Sequence, residues 1–487
     1  MSSNMAQRTV STPSRSHQRE LSRDLTFWPT LSMVVGCVIG VNIFIKPAVM
    51  AQVLPSGPAL IFVWIAAGLI SLAGALLYAE LGAMFPQTGG DYVYLREAFG
   101  ETVGFVYVWM TILIRATLNL ATFSLAIGGF LSSIVPLGNP WLDSSVALYG
   151  QTIRIQFGWR QIAGVSTVAT LAAINCLGVR AGGLSQTILT AIKVTGAAIL
   201  IVGGLFAHGG TSSLPAPSAA EFTMSTFVTT MLAALITYNG WSYIALAAGE
   251  VRDPERNIPR ALTLGTIVVI CVYCLLNGTY LHLLGLQQIA TSSSSLFPTA
   301  PTVGAKAAEA LFGSWGARAL SVLFLISALG VTNGFLLSSS RVPFALARDG
   351  LFFQAFGRLN RKNVPMAAIL YGVAAGAVLT LLPSYDRLTD VLIFSQWIFY
   401  TLAAAAVIVL RRKAPDYPRP YRTPLYPALP LAVVGFGCVL VALTLRAQPV
   451  EASLAVLLIL AGIPAFLWFR RLRTAHAALG VEASPSL

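Results

Sequence analysis

Charge is what this chain has least of. Charged residues make up 10% of the 487 positions, against roughly 25% in an ordinary soluble domain. That deficit excludes a soluble globular fold, because a water-facing surface needs more ionic groups than this chain can supply. Acidic residues are scarcer still, 18 against 31 Lys plus Arg. The excess of positive charge forms no continuous basic stripe and flanks apolar runs instead, which argues against a nucleic-acid partner. The four histidines are scattered without metal-ligand spacing. No nucleophile–base constellation accompanies the few carboxylates, so neither a metal site nor an enzyme is indicated. No cofactor motif is present. The five cysteines fall in or beside apolar stretches, where thiols pack as small hydrophobes. Cys271 and Cys274 make a C-x-x-C inside an expected helix, too apolar a setting for redox or metal chemistry. No secretory signal opens the chain. Residues 1–26, rich in Ser and Arg, read as a disordered tail.

What the chain does have is long apolar runs, with 56% hydrophobic residues. A window of roughly 19 residues selects twelve candidate spans, at 28–54, 58–83, 103–134, 161–179, 184–207, 225–250, 260–285, 317–345, 366–383, 388–411, 427–446 and 450–470. This is an all-α polytopic membrane protein in which 27–470 is one helical domain and 471–487 a second tail. Basic residues concentrate in the connections that share a side with both termini, which places those termini in the cytoplasm of a cell-membrane protein. Residues 91–99 are too short and polar to span and read as an interfacial helix.

Three cations fall inside the apolar runs: Lys46, Arg115 and Lys193. Each costs about 2.5–3.5 kcal/mol at mid-bilayer unless it is partnered, and by default each marks function. Lys46 suits snorkelling to the outer mouth. Two spans are interrupted at corresponding places, the first at Gly36-Cys-Val-Ile-Gly-Val-Asn42 and the sixth at Thr237-Tyr-Asn-Gly-Trp241. Matched interruptions point either to a substrate site between inverted repeats or to close helix packing through small residues.

Four segments carry a family resemblance: Val35 to Phe44; Tyr78-Ala-Glu-Leu-Gly82 with Pro86 and Gly89-Gly-Asp-Tyr92; Tyr238-Asn-Gly-Trp241 with Glu250 and Pro254 to Pro259; and Asn333-Gly334 with Ser338 to Arg341. In this order they resemble the amino acid–polyamine–organocation superfamily, and within it the L-type amino acid transporter branch. The resemblance implies the leucine-transporter fold. Its five-plus-five inverted repeat would cover 27–207 and 225–411, helices 1 and 6 would be broken, and 427–470 would form two peripheral helices. It also implies sodium-independent transport of L-amino acids, as an exchanger or facilitator working by alternating access, with a proton-coupled symporter or an organic-cation exchanger as alternatives. The expected substrate shell is Gly36, Ile39, Gly40, Val41, Asn42, Arg115, Ile236, Thr237, Tyr238, Asn239, Ser242 and Gln396. A half-helix N-terminus would take the substrate carboxylate and unwound carbonyls its ammonium.

The family's usual Ser-Gly is Val41-Asn42 here, so Asn42 either caps the outer half-helix or joins the site. Lys193 resembles the lysine that replaces a bound sodium ion in sodium-independent members, with Gly36 and Ser338 or Ser339 as expected partners. Lys193 also suits a proton carrier or a purely structural bridge. Arg115 lies in a stretch resembling that of cystine/glutamate-type members, and either recognises a substrate carboxylate or is satisfied by the protein itself. Ser242 and Gln396 are expected side-chain selectors. Glu80 and Glu250 are expected to organise loops. Animal members pair with a heavy subunit through a cysteine in the loop at about 135–160. That loop has no cysteine here, so no disulfide-linked partner is expected. Beyond the amino acid and the lipid bilayer, no partner is implied.

Overall fold

A computed structural model describes residues 25–478, apart from 55, 88, 149–150, 177–179, 208–222, 295, 298–299, 363 and 382–384. The first expected span is two helices, α1 (Phe27–Val38) and α2 (Asn42–Ala51). Next come α3 (Gly57–Met84), α4 (Asp91–Phe99) and α5 (Glu101–Met110). A π-helical turn, Thr111–Ala116, then leads into α6 (Thr117–Ile134). Beyond a hairpin lie α7 (Trp159–Cys176), α8 (Arg180–Phe206), α9 (Met224–Thr237) and α10 (Tyr243–Leu246). The remainder is α11 (Pro254–Ala290), α12 (Val303–Ser339), α13 (Arg341–Arg348), α14 (Met366–Leu379), α15 (Tyr385–Lys413), α16 (Ala428–Ala447), α17 (Pro449–Leu460) and α18 (Gly462–Ala478).

Over its described residues, each of the twelve expected ranges is largely helical, with breaks inside the first and the sixth. Among the described residues nine helical stretches are long and apolar enough to cross a membrane, and α9 and α14 are shorter apolar helices. α7 carries Gln161, Thr167, Thr170 and Asn175 along its length. Large apolar side chains such as Phe62, Leu205, Val439 and Leu457 face outward. Such a belt is unfavourable against water and natural against lipid chains.

Four expectations need correction. The chain is not entirely α: β1 (Leu142–Leu148) and β2 (Gln151–Phe157) pair antiparallel, with Leu142 opposite Phe157 and Leu148 opposite Gln151. Ile153, Ile155 and Phe157 alternate with Thr152, Arg154 and Gln156, the period-2 pattern that favours a strand. The third span, expected as one helix over 103–134, contains the π-turn. The tail expected at 1–26 ends in order, because Leu25 bridges Val251 with N–H and C=O bonds to Glu250 O (3.0 Å) and from Arg252 N (2.8 Å). Residues 1–24 lie outside the described residues. The final helix runs past the expected boundary at 471 to Ala478. Its Arg473 pairs with Glu101 at 2.9 Å, and residues 479–487 lie outside the described residues.

Candidate functional site

The two breaks meet. Between α1 and α2 lie Ile39, Gly40 and Val41, and between α9 and α10 lie Tyr238 to Ser242. Gly240 has φ +128°, and a Cβ there would stand 2.6 Å from Cys37 O and 3.1 Å from Val38 N. Only glycine permits that conformation and that approach. Ile39, Val41, Ile236, Thr237, Tyr238 and Ser242 are all buried. The amide of Asn42 donates to Ile236 O at 3.4 Å, from one break to the other. Val41, not Asn42, occupies the N-cap position of α2 and makes no side-chain cap, so Asn42 sits one residue inside the helix. The Tyr238 hydroxyl points away from the breaks and donates to Trp64 O at 3.1 Å.

Sequence reasoning missed Tyr273 of α11. Its single hydroxyl hydrogen lies between two carbonyls, Val38 O at 2.7 Å and Thr237 O at 3.1 Å, one from each broken helix. Tyr400 was missed as well. Its hydroxyl accepts from Gln396 Nε2 (2.6 Å) and donates to Asn239 Oδ1 (3.0 Å), while Asn239 Nδ2 donates to Gln396 Oε1 (3.1 Å). That closes a ring of three side chains, and with the Tyr400 proton committed, Ser242 Oγ at 2.8 Å donates to Tyr400. Tyr400 lies four residues beyond Gln396, on the same helix face. Gln396 and Ser242 therefore sit together on the sixth-span break.

Lys193 Nζ donates to Gly36 O at 3.1 Å, just before the α1 break. The serines expected beside it do not bond it. Ser338 Oγ donates back to Gly334 O at 2.8 Å in its own helix, the usual outcome for a serine in a helix interior. Ser339 lines a small cavity with Thr111, Ser340 and Tyr371. Lys46 is also corrected. It does not snorkel but is 1% exposed, and it donates to Thr389 Oγ1 at 2.8 Å.

Arg115 is 1% exposed and lies in the π-turn, a distortion often found at functional sites. Nη1 donates to the Tyr107 hydroxyl at 3.0 Å, and the guanidinium carbon lies 4.7 Å from the ring centre of Tyr243, the first residue of α10. Nε and Nη2 are buried with no hydrogen-bond partner among the described residues. An unmet buried donor costs about 1–3 kcal/mol, more when charged, a cost that an acceptor placed against these two nitrogens would relieve. The Tyr107 hydroxyl in turn donates to Asp91 Oδ2 at 2.9 Å, and Tyr78 hydrogen-bonds Asp91 Oδ1. Tyr78 stands edge-on to Trp241 in the sixth-span break, with ring centres 4.9 Å apart.

Residues 25–464 match the family model for the amino acid permease family. The chain belongs to that family. The permease is 31% identical over 449 residues to the serine/threonine exchanger SteT of Bacillus subtilis, covering 92% of this chain and 96% of that one. It is 28% identical over 455 residues to the human cystine/glutamate transporter, covering 92% and 86%. It is also 28% identical over 453 residues to the human large neutral amino acids transporter small subunit 2, covering 92% and 80%. The permease is thus a multi-pass membrane protein of the amino acid–polyamine–organocation superfamily that resembles the L-type branch, and an amino acid transporter rather than an enzyme.

Proposed function

We propose that this permease exchanges L-amino acids across the cell membrane without sodium, by alternating access to the paired breaks. The carrying observation is Lys193. Its fixed ammonium on Gly36 O provides, at a helix break, the positive charge that a bound cation would otherwise supply. On this reading the membrane domain has twelve spans. Residues 27–207 and 225–411 form the inverted repeats, 427–470 the peripheral pair, and both termini face the cytoplasm. The substrate shell comprises Gly36, Ile39 to Asn42, Arg115, Ile236 to Asn239, Ser242 and Gln396, with Lys193 as the ion surrogate. Three buried cations argue against an organic-cation substrate. The absence of cysteine from 135–160 supports a permease that works without a disulfide-linked subunit.

Within the amino acids, the unmet Nε and Nη2 of Arg115 favour a substrate with a second carboxylate, matched bidentately by a guanidinium. A cystine/glutamate transporter among the relatives agrees with that reading. The test is uptake of labelled glutamate and serine into sodium-free proteoliposomes, with and without unlabelled amino acid inside. Stimulation by internal substrate supports exchange. A strict need for sodium removes Lys193 from the role of ion surrogate.

A further inference from the structure

The substrate shell does not use Asp91, yet Asp91 is 1% exposed and belongs to one connected polar chain with Arg115. Its position is fixed by the Gly89-Gly90 turn. Gly90 has φ +49°, and a Cβ on it would lie 2.9 Å from Leu246 Cδ2 and 3.0 Å from the carbonyl carbon of Ala245. α4 therefore begins against α10, and its first side chain enters the bundle. There one Asp91 oxygen accepts from Tyr78 of α3 and the other from Tyr107 of α5. Arg115 lies one hydroxyl further on. The other ionisable groups acting on Asp91 are Tyr94 of its own helix and Tyr400 of α15. Arg115 is the one cation in that set, and it compensates the buried carboxylate through space.

We propose that Asp91 is a proton-binding site for transport of acidic amino acids: a substrate carboxylate that engages Arg115 competes for the charge compensating Asp91, and Asp91 takes up one proton. The proposal rests on the acidic-substrate reading of Arg115. One H⁺ from water converts the Asp91 carboxylate to the neutral acid when the substrate anion arrives, and leaves when the substrate does, so the net charge of Asp91, Arg115 and the engaged substrate carboxylate together stays at zero. The hydrogen-bond chain accommodates this with one proton shift. The Tyr107 oxygen accepts from Arg115 while its proton goes to Asp91; a protonated Asp91 donates to that oxygen instead, and the Tyr107 hydroxyl turns its own proton to another acceptor. Burial already pushes the Asp91 carboxyl above its ordinary value, with Arg115 and the bonds from Tyr78 and Tyr107 pulling it back down. Losing part of that opposition moves it further up.

The experiment uses the full chain in sodium-free proteoliposomes preloaded with serine and a lumenal pH dye, with external pH varied from about 5 to about 8. The expected result is labelled-glutamate uptake that rises as external pH falls, by up to about tenfold per unit for one bound proton, with lumenal acidification and a flat serine profile. Asp91→Asn should flatten the glutamate profile and abolish the acidification. Glutamate uptake that is flat in the wild type, or that keeps its slope and acidification in Asp91→Asn, overturns the proposal alone. Serine exchange with no glutamate or aspartate transport overturns the acidic-substrate reading and the proposal with it. Tyr107→Phe covers the case in which Asp91→Asn fails to fold. It removes a bond to the ionised carboxylate, so the midpoint of the glutamate profile should move up by about one unit, and an unmoved midpoint counts against Asp91.

Discussion

A single hydroxyl at Tyr273 serves two carbonyls on two different helices. Removing it as Tyr273→Phe should cost about 1 kcal/mol of stability, read by thermal unfolding in detergent. It should also slow exchange disproportionately, because both breaks lose a shared support. Lys193→Ala leaves Gly36 O without its ammonium and should lower exchange by at least about tenfold, the ratio that about 1.4 kcal/mol sets. Unchanged uptake would exclude Lys193 from the mechanism. The residues that were legible in the sequence were those out of place in an apolar run: Lys193, Arg115, Asn42 and Gln396. Tyrosines were not legible, because a tyrosine among Leu and Val looks like ordinary filling until its partner is known. The partners of Tyr273 lie 235 and 36 residues away. Lys193 itself stands out, but its expected serine partners were not the right ones, since a helical serine satisfies itself on the preceding turn.

Breaks were legible at the level of elements because glycine and asparagine are poor helix formers and stand out in segments that must otherwise be helical to cross lipid. The ends of α1 and α9 fall within the expected windows. The π-turn at Thr111–Ala116 was not legible, since one extra residue in a turn leaves no compositional trace. The β1–β2 hairpin was hidden by its modest length and by the helical signal on either side. The mutual contact of the breaks makes a sharp test. Gly240→Ala places a methyl group against Cys37 O and forces a left-handed conformation on a side chain. Exchange should fall to background, while assembly in the membrane, read by size-exclusion profile, should be largely kept. Wild-type exchange in Gly240→Ala would show that the breaks need not touch.

Across the whole molecule, the membrane class and the order of helices followed from the scarcity of charge, while the pairing of the remaining charges did not. Glu80 of α3 is 0% exposed. It is held by Arg411 of α15 through two bonds of 2.9 and 2.7 Å and by Thr423 N at 2.7 Å. Glu250 pairs with Arg341 at 2.6 Å, next to the Leu25 bridge. These are the loop-organising roles expected of the two glutamates, though their basic partners lie far along the chain. Glu80→Ala leaves the α15–α16 connection without its anchor and should cost about 3–5 kcal/mol, measured as loss of folded protein on heating. The same distribution of rare groups has a practical consequence. Cys37 is buried at the point where Gly240 presses on α1, whereas Cys271 and Cys438 lie on outward surfaces of α11 and α16. The native chain thus carries its own reporter of conformation. A charged, water-soluble thiol reagent should label Cys37 only while the two breaks stand apart, and the labelling rate should change when substrate is added, giving a direct clock for opening without introducing any new residue.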